Sequence, residues 1–139
     1  MELEVRIIRE ASREEIFQLY VEENWWKPEE RIQMHLIDDV IKKSFCFAGA
    51  FCDGKMIGMG RAISDGISDA YIQDVMVTKS FRGRGLGMMI MECIISHLKS
   101  HGVSWIGLIA NPGTSNFYKG LGFKVMEKFT PMLLESPDE

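Results

Sequence analysis

The segment Arg82-Gly83-Arg84-Gly85-Leu86-Gly87 lies between a strand-like stretch, Ala70 to Val77, and an apolar helical run from Leu86 to about His101. Three glycines in six positions let the backbone turn sharply and approach a ligand closely. A strand that enters a helix through such a loop leaves the helix's first N–H groups pointing into it. Those donors, with the helix dipole behind them, attract phosphate. Arg82 and Arg84 add positive charge, so a pyrophosphate ligand is the natural inference. A nucleotide-triphosphate loop needs Lys-Ser/Thr after its last glycine, which is absent here. A dinucleotide fingerprint needs a glycine at the position of Met88, and a carboxylate after the next strand. Neither is present. Taken alone, the segment could equally be a turn that joins strand to helix.

The surrounding pattern narrows the fold. Val5 to Arg9 reads as a strand, and Ser12 with Glu15 as a capping box opening a helix to about Glu22. Pro28 suits the first turn of a second helix, with Ile32, Leu36 and Val40 at spacing four and Ile37 and Ile41 beside them. Phe45 to Cys52 is a buried strand, and Asp53-Gly54 a hairpin signal leading into Met56 to Ala62. A turn at Ser64 to Ser68 precedes the strand Ala70 to Val77. The long helix ends at Gly102, in the position usual for a capping glycine. A strand at Trp105 to Ala110, a short helix at Ser115 to Gly120 and strands at Phe123 to Glu127 and Thr130 to Leu134 complete the chain. The expected class is α/β (α+β): a mixed central sheet of six to seven strands with helices on both faces.

Composition removes other classes. At 139 residues, with 46% apolar and 26% charged residues, the chain fits one domain spanning residues 1–139. Sixteen basic against twenty acidic side chains leave a net charge of −4. That argues against nucleic acid as a partner. The apolar run Phe45 to Cys52 is far short of the roughly 20 residues that span a bilayer, and the N-terminus lacks a signal-peptide pattern. No membrane association is expected. Cys46, Cys52 and Cys93 are odd in number and in apolar surroundings, which suits reduced thiols in a cytoplasmic protein. His35, His97 and His101 are not at metal-ligand spacing, so no metal is expected.

The loop Arg82-x-x-Gly85-x-Gly87, with Asp74-Val75-Met76-Val77 before it and Asn111 and Phe117-Tyr118-Lys119-Gly120-Leu121-Gly122-Phe123 after it, resembles the GNAT superfamily of acyl-CoA-dependent N-acetyltransferases. The motifs cover residues 70–127; residues 5–63 agree in element order only. The resemblance implies a GNAT fold in which the Asp74–Val77 strand splays from Ile106–Ala110 to hold acetyl-CoA. Backbone groups of Val75, Met76 and Val77 would then bind the pantetheine arm. The residues Arg82, Gly83, Arg84, Gly85, Leu86 and Gly87 would cradle the pyrophosphate, and Asn111 would contact the cofactor. A turn-forming role for Asn111 before Pro112-Gly113 can coexist with that.

Tyr118 would lie near the sulfur. A thiol has a pKa near 8.5 and a tyrosine one near 10, so a protonated Tyr118 could donate to the leaving thiolate. Asp74 is the leading carboxylate for the amine, either as its base or as the group that orients it. The strand Tyr71 to Val77 resembles that of glucosamine-phosphate and arylalkylamine acetyltransferases, although the amino-sugar branch has a Glu where this chain has Gln73. Tyr71 stands where protein acetyltransferases place a glutamate base. Tyr71 and Gln73 are therefore candidates for acceptor binding. So are Trp25 and Trp26, which form either an aromatic wall for the acceptor or a lid packed on the core. The expected activity is acetyl transfer from acetyl-CoA to a primary amine of a small molecule: an arylalkylamine, amino sugar or polyamine. The alternatives are a protein N-terminal or lysine acetyltransferase and a non-catalytic acyl-CoA sensor. Homodimers are common among relatives.

Overall fold

The computed structural model describes residues 1–135, which fall into two compact units divided between Leu108 and Ile109. In the first unit the elements run β1 (Leu3–Ile8), α1 (Arg13–Glu22), a 3-10 turn (Pro28–Gln33), α2 (Leu36–Lys43), β2 (Cys46–Cys52), β3 (Lys55–Ser64) and β4 (Asp69–Val77). A short 3-10 turn (Lys79–Phe81), α3 (Leu86–Ser100) and β5 (Trp105–Leu108) follow. The sheet order is β1-β2-β3-β4-β5. Successive pairs are antiparallel up to β4, and α3 is the crossover that makes β5 parallel to β4.

Each face of the sheet is covered for a reason visible in the chain. On one face, α1 and α2 bury Ile16, Phe17, Leu19, Tyr20, Ile37 and Ile41 against Phe47, Phe51, Met59 and Met76. On the other, α3 buries Leu86, Ile90, Met91, Ile94 and Leu98. Gly60 lets that helix lie close: a Cβ there would stand 2.9 Å from Ile90 and 3.0 Å from Ile94. Any larger residue at position 60 would push α3 away from β3.

Three local expectations change. Ser12 caps α1 by accepting from the Glu15 N–H at 3.3 Å, but the Glu15 carboxylate does not close the box. It accepts instead from the Met56 N–H at 2.6 Å, tying α1 to β3. The single helix expected from Pro28 onward is split, because bonds of the i to i+3 type at Met34 and Ile37 shift its phase. Ile37 and Ile41 therefore form the buried stripe, while Leu36 is exposed and Val40 half-buried.

Among the described residues the sheet has five strands rather than six or seven. In the second unit, α4 (Ser115–Gly120) forms as expected, but the segments 123–127 and 130–134 enter no ladder. Their backbone is used locally: the Phe123 N–H donates to Tyr118, Glu127 to Val125 and Phe129 to Met126. Lys128 in the left-handed region, at φ 71°, breaks the extended path between the two segments. The strand expected at Trp105 to Ala110 likewise stops at Leu108.

Candidate active site

Pairing between β3 and β4 is irregular at one point. Met59 faces Met76 and Arg61 faces Gln73, so Asp74 and Val75 together oppose Gly60 alone. Asp74 is the bulged residue, with φ 57° in the left-handed region. The extra residue reverses the side-chain alternation of the rest of the strand. Val75 turns toward α3, where it lies beside Gly60, and Met76 joins the core under α1. Asp74 itself turns to the α1 face. A regular strand would have put this carboxylate among the isoleucines of α3.

On that face Asp74 meets two donors. Arg61 Nε donates to Oδ2 at 2.6 Å, and the Tyr20 hydroxyl donates to the same oxygen at 2.8 Å. Arg61 also reaches the Ser44 hydroxyl at 3.3 Å, and Ser44 in turn donates to the Val40 carbonyl. The side chains of Arg61 and Asp74 are only 19% and 22% exposed, so the ion pair is shielded from bulk water. Burial, and then the Asp74 charge, push the Tyr20 hydroxyl well above the ordinary tyrosine range, keeping it a donor. Neither Tyr20 nor Arg61 was expected from the sequence. Both lie on other elements and carry no motif; only the bulge brings them to Asp74.

The β4–β5 ladder runs from Asp69↔Trp105 to Ile72↔Leu108 and goes no further. From Gln73 to Val77, β4 has no β5 partner, so the ladder leaves the backbone groups of Val75, Met76 and Val77 on that edge untaken. The ladder thus ends just before the bulge, where β5 itself stops at Leu108.

The strand then leads into the glycine loop. Gly83 and Gly85 have φ of 81° and 79°, and Gly85 is the N-cap of α3. No heavy atom lies within 4 Å of where a Cβ would stand at either glycine. The N–H groups of residues 83–88 find no acceptor among the described residues. Leu86 is buried and anchors the helix, so the loop can offer only its backbone at that position. Such a concave run of donors is the right chemistry for a phosphate pair. Arg84 stacks over Phe81 at 5.1 Å and has no carboxylate partner among the described residues. Arg82 is differently engaged: it donates to the Val77 carbonyl at 2.8 Å and pairs with Glu23 at 2.6 Å. It clamps the end of α1 to the loop.

The other residues expected near an acceptor divide into two groups. Trp26 stacks on Tyr20 at 5.1 Å between ring centroids, and Trp25 meets Tyr20 edge-on at 5.8 Å. Both tryptophans pack on the core cluster, and through Tyr20 they buttress Asp74. Tyr71 and Gln73 instead lie exposed on the same sheet face as Arg61. Tyr71 meets Trp105 edge-on at 5.3 Å, with Ile63 as its cross-strand partner. In the sequence Trp105 carries no signal beyond its place at the start of a strand.

In the second unit, the Asn111 carbonyl accepts from both the N–H and the hydroxyl of Thr114, at 3.1 and 2.7 Å, forming the turn that opens α4. Tyr118 is half-buried between Phe117 and Phe123, with ring centroids at 5.0 and 6.0 Å. Burial raises its hydroxyl above the ordinary tyrosine value, so it is protonated at neutral pH. No cluster of three or more metal-ligating side chains occurs among the described residues.

Residues 7–123 match the family model described as Acetyltransferase (GNAT) family. An uncharacterized N-acetyltransferase, ycf52, from Gracilaria tenuistipitata var. liui is 41% identical over 87 residues, 60% of this chain and 48% of that protein. Serotonin N-acetyltransferase 2, chloroplastic, from Oryza sativa subsp. japonica is 41% identical over 70 residues, 50% of this chain and 35% of that protein. The chain thus spans half or less of the length of these curated relatives. An acetyltransferase of the GNAT family from Streptococcus pneumoniae TIGR4 shares the fold, with a TM-score of 0.80 at 20% identity, covering 98% of this chain and 99% of that one.

Proposed function

The chain belongs to the GNAT acetyltransferase family, and from that premise we propose that it transfers the acetyl group of acetyl-CoA to a primary amine of a small molecule. The observation that carries this reading is the position of Asp74. Its carboxylate stands on the α1 face one residue before an open β4 edge, and that edge leads directly to a cradle of unpaired N–H groups. An anion at one end and donors for anions at the other suit an amine acceptor and a pyrophosphate-bearing donor.

When bound, acetyl-CoA supplies the thioester whose carbonyl carbon accepts the amine. The chain's own groups do the rest. The N–H groups of residues 83–88, with Arg84, hold the phosphates, and the edge at Val75 to Val77 offers backbone hydrogen bonds to the pantetheine arm. Asp74 Oδ1, which has no partner among the described residues, receives an N–H of the acceptor. Tyr118 is the proposed proton donor to the departing thiolate. Asn111 retains its proposed contact with the cofactor, alongside its turn. An exposed aromatic surface at Tyr71 and Trp105 favours acceptors with an apolar or aromatic body, and the serotonin acetyltransferase relative is consistent with that preference.

The test is release of free thiol from acetyl-CoA across phenylethylamine, tryptamine, glucosamine, spermidine and a lysine peptide. We expect turnover with at least one of the non-peptide amines, and a drop in kcat/KM of about tenfold or more for Asp74→Asn, the cost of losing a hydrogen bond to a charged group. Turnover of the peptide alone would favour protein acetylation. Binding of acetyl-CoA without turnover of any amine would favour a sensor.

A further inference from the structure

Asp74 raises a chemical difficulty that its neighbours resolve. An amine enters at neutral pH as an ammonium, which has no lone pair with which to attack. A bare carboxylate in a sheltered site would bind that ammonium well and hold it in its unreactive form, because an adjacent negative charge favours the protonated state. Here the carboxylate is not bare. The guanidinium of Arg61 lies 2.6 Å from Oδ2 and is itself shielded from water.

We propose that Arg61 is a positioning residue for acetyl transfer that acts through Asp74: its charge cancels the carboxylate's field at the acceptor, so that Oδ1 binds the amine without trapping it as an ammonium. Tyr20 completes the arrangement. By filling Oδ2 from the other side, it leaves Oδ1 as the single oxygen offered to the acceptor. The ammonium gives one proton to water, and the freed lone pair forms the N–C bond as the C–S bond of the thioester breaks. The departing thiolate takes a proton from Tyr118, and the nitrogen's second proton leaves to water to give the neutral amide. This proposal rests on the reading that Asp74 faces the acceptor amine.

The charges around the pair are few. From α1 comes Tyr20, a neutral donor on which only Asp74 and Arg61 act as charges. From the end of α2 comes the Ser44 hydroxyl, which does not titrate. On β4 the neighbour is Gln73, and β5 carries no charged residue. Among the described residues of the first unit, the balance at Oδ1 is therefore set by Arg61 against Asp74.

The experiment follows kcat against pH, with acetyl-CoA saturating and the best-used amine of the panel as acceptor. The rising limb of that profile marks deprotonation of the bound amine. Arg61→Gln leaves the carboxylate uncompensated and is expected to move the limb up by about one pH unit, the size for a unit charge roughly 6 Å away at an effective dielectric constant near 40. Asp74→Asn leaves the guanidinium uncompensated and should move the limb down. Arg61→Lys should keep it near the wild-type position, and the double variant Arg61→Gln with Asp74→Asn should restore it at a lower rate. Tyr20→Phe keeps both charges, so it should raise KM and leave the limb in place. Should Arg61→Gln not fold, the limb of Asp74→Asn against the acceptor's own pKa decides the question: an uncompensated guanidinium puts it below that pKa, and a limb at that pKa overturns the role of Arg61. A limb that stays put in the folded charge variants, with activity retained, overturns this role for Arg61 alone. No turnover by the wild-type chain overturns the acetyltransferase reading and this inference with it. A limb lost entirely in Asp74→Asn would instead make Asp74 the base and overturn the proposal.

Discussion

At the scale of single residues, the chemistry rests on which groups hold protons. Tyr118 is raised above the usual tyrosine value by burial. An acid works only while protonated, so the contribution proposed for Tyr118 would persist through neutral pH and fade only on the alkaline side of the ordinary tyrosine value, near 10. Tyr118→Phe should therefore lower kcat by roughly 10²-fold or more, the usual range for a lost general acid, while the acetyl-CoA dissociation constant stays near wild type. It should also remove the alkaline decline of kcat. A wild-type rate would take away its role as acid. Tyr118 and Asp74 stand out in the sequence as candidates because each sits inside a recognisable motif. Tyr20 and Arg61 do not, since their significance depends on a one-residue irregularity in strand pairing that no local pattern announces.

At the scale of elements, the strand–loop–helix unit from Ala70 to Ser100 carries the argument for the donor site. The glycines at 83 and 85 adopt φ values that other residues enter at a cost, and Gly85 also caps α3. Gly85→Ala should cost about 1–2 kcal/mol of stability from left-handed strain alone, because the space beside it is open. Gly85→Glu adds bulk and a negative charge where phosphates are proposed to lie. Calorimetry should find acetyl-CoA binding abolished for that variant, with its fold retained by circular dichroism. Unchanged affinity would remove the loop from the donor site. Helix and strand positions were read well wherever periodicity and punctuation agreed, as in α1, α3 and the β2–β3 hairpin. They were misread where apolar spacing competed with local turns. The spacing-four row at Ile32, Leu36 and Val40 suggested one helix, yet backbone bonds of the shorter type shifted its phase. The apolar residues after Gly122 suggested strands, but their backbone groups are taken up by turns.

At the scale of the whole molecule, a net charge of −4 proves a poor guide to its sites. What matters is local pairing: Arg82 is spent on Glu23, Arg61 on Asp74, and Arg84 stacks on Phe81 with its charge available to an anion. The family was legible in the sequence, because glycine spacing and the motif order survive without tertiary information, and the same signals carry the proposal for the donor side. The proposed acceptor side was less so. Trp25 and Trp26 are conspicuous in the sequence but pack on the core, while Tyr71 and Trp105 come together only through parallel pairing of β4 with β5. The most direct measurement of the central claim is mass spectrometry of the product formed from acetyl-CoA and the preferred small amine. Acetyl transfer predicts that the amine gains one acetyl group on nitrogen for every molecule of free CoA released. Free CoA released without an acetylated amine, or acetyl-CoA bound and returned intact, would contradict it.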